Sequence, residues 1–96
     1  MANKIIITDP ALADLEEVMN WSVEKHPATS ERFGTALLNH IELLKTFPLL
    51  GTPVKGFPGV KRLIHSPLYI YYRVREEAET IEILHFWHRS RRVPPL

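Results

Sequence analysis

A chain of 96 residues with no cysteine and a formal charge of +1 has room for one core and not for two, because chains of this size bury only roughly 60–68% of their unfolded surface. The missing cysteines exclude a disulfide framework and a thiolate zinc site and suit a reducing compartment. No apolar run approaches the ~20 residues of a membrane span, and the start MANKIIIT lacks the apolar core of a secretory signal. The expectation is a cytoplasmic protein with no membrane contact.

The charge is unevenly spread. Residues 1–47 carry four Lys/Arg against seven Asp/Glu, whereas residues 48–96 carry eight against four. A partner rich in phosphate or carboxylate is therefore expected on the C-terminal half.

In chain order, Lys4-Ile5-Ile6-Ile7-Thr8 is a short β-branched run that predicts a first strand. It ends at Asp9-Pro10, where aspartate suits a helix cap and proline the first turn. From Pro10 to about Lys25, Leu12, Leu15, Val18, Met19 and Ser22 recur at helical spacing, with Asp14, Glu16, Glu17 and Glu24 expected on the solvated side. His26-Pro27 breaks the pattern. A second helix is predicted with Thr29 or Ser30 as cap and Glu31 in its first turn. Phe33, Leu37, Ile41 and Leu44, joined by Ala36, His40 and Phe47, keep its rhythm up to Pro48. The two helices form a hairpin.

Three prolines and three glycines between Pro48 and Gly59 predict an ordered crossover loop anchored by Leu49, Leu50, Val54 and Phe57. Three antiparallel strands follow at Val60–Ser66, Leu68–Arg75 and Thr80–Trp87, with a tight turn at Ser66-Pro67 and a polar connection at 76–79. In the middle strand Leu68, Ile70, Tyr72 and Val74 share the core face, while Tyr69, Tyr71, Arg73 and Arg75 form an aromatic, basic face. The last strand shows Ile81, Ile83 and Trp87 on one side and Leu84 and Phe86 on the other, as if covered twice. The tail from Arg89 has no periodicity and is expected to fray.

His88 at the strand end, beside Arg89, Arg91 and Arg92, can exchange a proton near neutrality while guanidiniums hold a phosphate. It is equally a strand-end histidine beside a solvated basic tail. Arg62 and Arg73, set on one face by parity, can brace a phosphorane or pair with acidic side chains of a partner. Tyr69 and Tyr71 suit base stacking, cross-strand packing or a protein contact. His65 and His85 can approach one another, but no H-x-x-x-H or carboxylate-rich spacing supports a metal, and no P-loop, GxGxxG, nucleophile elbow or HExxH supports a cofactor. Neither is expected.

An ordered set of short matches runs along nearly the whole chain: Ala11 with Ala13-Asp14-Leu15-Glu16-Glu17-Val18 and Trp21, His26-Pro27, Phe33, Ile41-Glu42-Leu43-Leu44, Phe47-Pro48, Gly51, Gly59-Val60-Lys61-Arg62-Leu63, Ile70-Tyr71-Tyr72-Arg73-Val74 and Ile81 to Arg89. With these the chain resembles the RelE/ParE superfamily of bacterial toxins, more closely its ParE-like branch of plasmid stabilisation proteins. The resemblance implies one α+β toxin domain over 1–96, ordered β-α-α-β-β-β, with an antiparallel sheet backed by a helical hairpin. It also implies a cognate antitoxin bound as a hetero-oligomer, masking the basic surface.

Within the superfamily, ParE-like members block DNA gyrase and RelE-like members cut mRNA on the ribosome. Arg62 matches a strand arginine of the RelE-like toxins, and His88 with Arg89 matches their basic strand end, whereas the tail RSRRVPPL lacks the C-terminal tyrosine many of them carry. The leading expectation is a gyrase-directed toxin that uses Arg62, Tyr69, Tyr71, Arg73, Arg89, Arg91 and Arg92 as contacts for target or antitoxin. The alternative is a metal-independent endoribonuclease with His88 as acid or base and Arg62 and Arg73 as charge stabilisers. A third reading is an inactive module that only binds its antitoxin.

Overall fold

The computed structural model describes residues 3–25 and 27–96, with side chains described for all of these except 21–25, 27, 29 and 30. The proposed break at His26 and the faces assigned to Ser22 and Glu24 lie outside the described residues, whereas Thr29 and Ser30 fall inside the helix Pro27–Glu42, so neither is its N-cap. The elements are β1 (Lys4–Ile7), α1 (Asp9–Lys25), α2 (Pro27–Glu42) followed by a 3-10 turn (Leu43–Lys45), β2 (Thr52–Pro53), β3 (Val60–His65), β4 (Leu68–Arg75), a 3-10 turn (Glu76–Ala78) and β5 (Thr80–His88). Among the described residues no helix is long and apolar enough to cross a membrane.

The α+β order is the expected one. The sheet runs β1-β5-β4-β3-β2 and is antiparallel from β2 to β5, but β1 joins it parallel to β5, with Ile5 opposite Ile81 and Ile7 opposite Ile83. The sheet is therefore mixed. That pairing places Ile5 and Ile7 against a core of Ala11, Leu37, Ile41, Leu44, Leu63, Leu68, Ile70, Tyr72, Ile81, Ile83 and Phe86. The helices cover this one face; the other carries no helix.

Thr8, not Asp9, caps α1. Its Oγ1 accepts the Ala11 N–H (3.4 Å) and donates to the Ile83 carbonyl (2.7 Å), so one side chain starts the helix and fixes it to β5. The buried stripe is Ala11, Leu15 and Val18, while Leu12 is 45% exposed. Asp14 falls in that stripe at i+3 from Ala11 and is turned inward, against the expectation that it faces solvent. In α2 the apolar rhythm holds at Leu37, Ile41 and Leu44, but the helix tightens at Leu43 and leaves Phe47 57% exposed.

The crossover is held differently from the sequence reading. Leu49 and Leu50 are exposed at 67% and 45%, and the anchor is the buried Tyr72, whose Oη accepts the Gly51 N–H (2.8 Å) and donates to the Pro48 carbonyl (2.9 Å). Burial raises the Tyr72 pKa, only partly offset by the Gly51 N–H, so the phenol stays protonated and can donate. Thr52 and Pro53, just after Gly51, pair as β2 with Arg62 and Lys61.

The last strand departs most from simple alternation. Between β4 and β5 the register steps from Tyr71–His85 to Tyr72–Ile83, leaving Leu84 extra as a bulge. Parity flips there, so Phe86 joins Ile81 and Ile83 in the core and Trp87 lies opposite Tyr69 on the other face. The double cover inferred for this strand is one core face read across a bulge. Nor does the tail fray: Arg91 N–H donates to the His88 carbonyl (3.0 Å), Trp87 Nε1–H donates to the Arg92 carbonyl, and Pro94 is buried.

At the far end of the helix face His40 of α2 and His65 of β3 meet through their Nδ1 atoms at 2.8 Å, with Phe33 edge-on to His65. Burial first, and the neighbouring His40 second, lower the His65 pKa. The unfolded chain therefore binds a proton at this position more readily than the fold does. Stability is expected to fall as pH drops below about 6.5, and the fall should be smaller in His65→Gln; urea titrations at pH 7.5 and 5.5 measure it, and equal slopes for both proteins would contradict the assignment.

Candidate partner-binding face

Antiparallel pairing sets side chains in rows across the uncovered face. Arg62, Tyr71 and His85 form one row, and Ile64, Tyr69 and Trp87 the next. Arg73 follows Tyr71 at i+2 and shares its face, as parity predicts. Arg62 lays its guanidinium over the Tyr69 ring at 4.3 Å, and its Nε is buried with no hydrogen-bond partner among the described residues. Tyr71, expected as open surface, is only 2% exposed. It is closed in by its own row and by Tyr69, whose ring meets it edge-to-face at 6.4 Å.

The arginines differ in how they are held. Arg75 is paired with Glu82 at 2.9 Å, whereas none of Arg62, Arg73, Arg89, Arg91 or Arg92 forms an ion pair among the described residues. Arg91 stacks on Trp87 at 3.8 Å, and Arg89 is tied through its backbone N–H to the Pro67 carbonyl at 2.9 Å. Aromatic faces thus hold Arg62 and Arg91 in place without neutralising them. Their charge remains available to an anionic partner.

His88 does not join Arg62 and Arg73. It pairs across from Leu68, whose side chain faces the core, so its parity is opposite to theirs, and its Nδ1 lies 2.7 Å from Ser90 Oγ and accepts the Ser90 N–H at 3.1 Å. His65 and His85, considered as neighbours, are instead engaged separately with His40 and Asp14.

The histidine that does reach the Arg62 row is His85. Its Nδ1 meets Asp14 Oδ2 at 2.7 Å, and the same oxygen accepts the Phe86 N–H at 3.2 Å. Phe86 lies past the end of β1, where β5 has no strand partner on that side, so Asp14 takes the place of a backbone carbonyl. With Oδ2 as the acceptor, Nδ1 is the donor of this contact, and Nε2 has no hydrogen-bond partner among the described residues. The sequence signal was Asp14 inside the Ala11, Leu15, Val18 stripe. Asp14→Ala is expected to cost about 1–3 kcal/mol by orphaning both donors, lowering Tm by about 4–8 °C per kcal/mol. Asp14→Asn keeps one acceptor and should lose less. Differential scanning calorimetry checks both, and an unchanged Tm for Asp14→Ala would contradict the role.

A groove of about 450 Å³ lies elsewhere, between β1 and α2, lined by Ile5, Ile7, Leu38 and Ile41 together with Asn3, Lys4, Glu42 and Lys45. It is mixed in character and holds none of the arginines above. The arginines lie along one side of the sheet and outside this groove, an arrangement suited to a partner of matching area.

The fold has close counterparts. A chain of the chromosomal ParDE toxin–antitoxin system from P. aeruginosa superimposes with a TM-score of 0.77 at 22% identity, over 91% of this chain and 96% of that one. A chain of the toxin–antitoxin complex RelBE2 from Mycobacterium tuberculosis gives 0.65 at 22% identity, over 93% and 100%. No curated protein matches in sequence. The family model of the ParE toxin of the type II toxin–antitoxin system, parDE, matches residues 5–93. With that match over most of its length, the chain belongs to the ParE toxin family of type II toxin–antitoxin systems.

Proposed function

We propose that the uncovered sheet face binds an acidic segment of a cognate antitoxin and, when free of it, arrests growth by engaging DNA gyrase. One observation carries this reading: Arg62, Arg73, Arg89, Arg91 and Arg92 flank the aromatic pairs of that face or follow it in the tail with no carboxylate committed to them among the described residues. The two structural neighbours come from a ParDE toxin–antitoxin system and a RelBE2 toxin–antitoxin complex, which supports a hetero-oligomer with a cognate antitoxin. The test is supercoiling by purified gyrase, with the protein added alone and with its antitoxin. Inhibition that the antitoxin relieves is expected; untouched supercoiling at micromolar protein abandons the gyrase target.

A second reading, ribosome-dependent cleavage of mRNA, is favoured by the row Arg62, Tyr71, His85. There Asp14 holds His85 through Nδ1, so in this reading His85, buried in the free chain, would take the 2′-hydroxyl proton at Nε2 only once the bound message opens that row, with Arg62 offsetting charge on the phosphate. Mapped messenger ends after induction decide it: new cuts lost in His85→Ala and kept in His88→Ala support this reading. No growth arrest on induction would leave only the antitoxin-binding module.

A further inference from the structure

We propose that the C-terminal tail is an autoinhibitory strap, an inference that rests on the partner-binding reading above: the tail closes over Trp87 on the face offered to the partner and lifts when that partner binds. β5 ends at His88, and the chain turns back at once, with the Arg91 N–H donating to the His88 carbonyl at 3.0 Å. The turn brings the tail onto Trp87. The Arg91 guanidinium lies 3.8 Å from the centre of its ring, and the Arg92 carbonyl accepts its indole N–H. Trp87 stands opposite Tyr69 in the row next to Arg62, Tyr71 and His85. The tail therefore occupies the aromatic part of the proposed contact surface and does not merely border it.

The strap is held by few contacts. Pro94 is buried and Leu96 half-buried, whereas residues 88–93 are exposed. Residues 89–96 run as turn and irregular chain, so a turn hydrogen bond, a stacked cation and one indole bond carry the tail back, each of them weak at an exposed site. Segments with so few buried contacts open locally without unfolding the domain. Arg91 and Arg92 also form no ion pair among the described residues. A carboxylate-rich partner offers these guanidiniums a full charge of opposite sign, which the Trp87 ring does not, so it favours the lifted tail over the closed one. Lifting uncovers the indole and delivers two cations to the same partner.

The full chain with Pro94→Asn tests this, because an amide in place of a buried ring leaves its hydrogen bonds unmet while every arginine of the tail is kept. Arg91→Lys is the second variant; it retains the charge and loses the planar group that stacks on Trp87. In the free proteins, hydrogen exchange of the Trp87 indole should be several-fold faster in both variants than in the parent, with Tm within a few degrees. Titrated calorimetrically, the antitoxin should then bind Pro94→Asn about 3- to 10-fold more tightly, the factor by which a strap closed about 70–90% of the time weakens an interface. Unchanged exchange in both variants overturns the strap. So does faster exchange with unchanged affinity while the Arg62 signal still responds to the antitoxin, a result that leaves the partner face standing. An antitoxin that binds without moving the Arg62 signal overturns the partner face itself, and the strap with it.

Discussion

Arg62→Glu combined with Arg73→Glu is expected to weaken the antitoxin complex by at least 30-fold and to abolish growth arrest, while leaving Tm within a few degrees. Reversing charges that a partner desolvates costs about 2–5 kcal/mol in interfaces of this kind, and 2 kcal/mol already corresponds to about 30-fold in Kd. The fold should tolerate the change because neither guanidinium supports an ion pair in the isolated chain, among the described residues. Arg75→Glu is the control. Arg75 is already paired with Glu82 at 2.9 Å, so its reversal should disturb binding far less. Isothermal titration with the antitoxin and a plate assay on induction measure both effects; equal losses from the control would remove the distinction between committed and free cations.

The second large effect is structural and reaches the same face from beneath. A Cβ on Gly51 would lie 2.8 Å from the Arg62 carbonyl and 2.8–2.9 Å from the Tyr72 ring and hydroxyl, with backbone and a buried phenol as neighbours that have little room to move. Gly51→Ala is therefore expected to cost about 1–3 kcal/mol from overpacking, a fall in Tm on the order of 10 °C. Because the strained atoms include Arg62 itself, partner affinity should drop as well. Tyr72→Phe separates the contributions. It keeps the ring but orphans the Gly51 N–H and Pro48 carbonyl, costing about 1–3 kcal/mol without pressing on Arg62. Calorimetry with titration distinguishes them, and a Gly51→Ala protein as stable as its parent would contradict the packing described.

Much of this fold is legible in the chain because its elements are punctuated locally. Pro10, Pro48 and Ser66-Pro67 lie at or beside element ends, and the alternation in Leu68–Arg75 sorts core from surface without reference to anything distant. The parallel addition of β1 was not legible, since pairing Ile5 with Ile81 joins residues from opposite ends of the chain. The bulge at Leu84 was hidden for a different reason. One extra residue reverses parity, and a period-two reading carried past it assigns Phe86 and Trp87 to the wrong faces. The inward Asp14 was readable as a polar residue inside a helical stripe, but only a burial pattern centred on Ala11 reveals it.

Of the candidate site, Arg62 and Arg73 on one face followed from strand parity alone. Their state as free cations did not, because ion pairing depends on which carboxylates tertiary structure brings within reach: Glu82 lies across from Arg73 in register yet bonds Arg75. Likewise, the seating of Arg91 on Trp87 requires the tail to fold back, and nothing in RSRRVPPL encodes that by period.

The proposed partner surface is the helix-free side of the sheet, with unneutralised guanidiniums as its contacts. NMR of the arginine Nε–Hε and tryptophan indole signals, recorded as the antitoxin is titrated in, tests it most directly. Arg62, whose buried Nε has no partner among the described residues, should show the largest change, together with Arg73 and the Trp87 indole. An antitoxin that binds while these signals stay fixed, and that shifts only residues of α1 and α2, would contradict it.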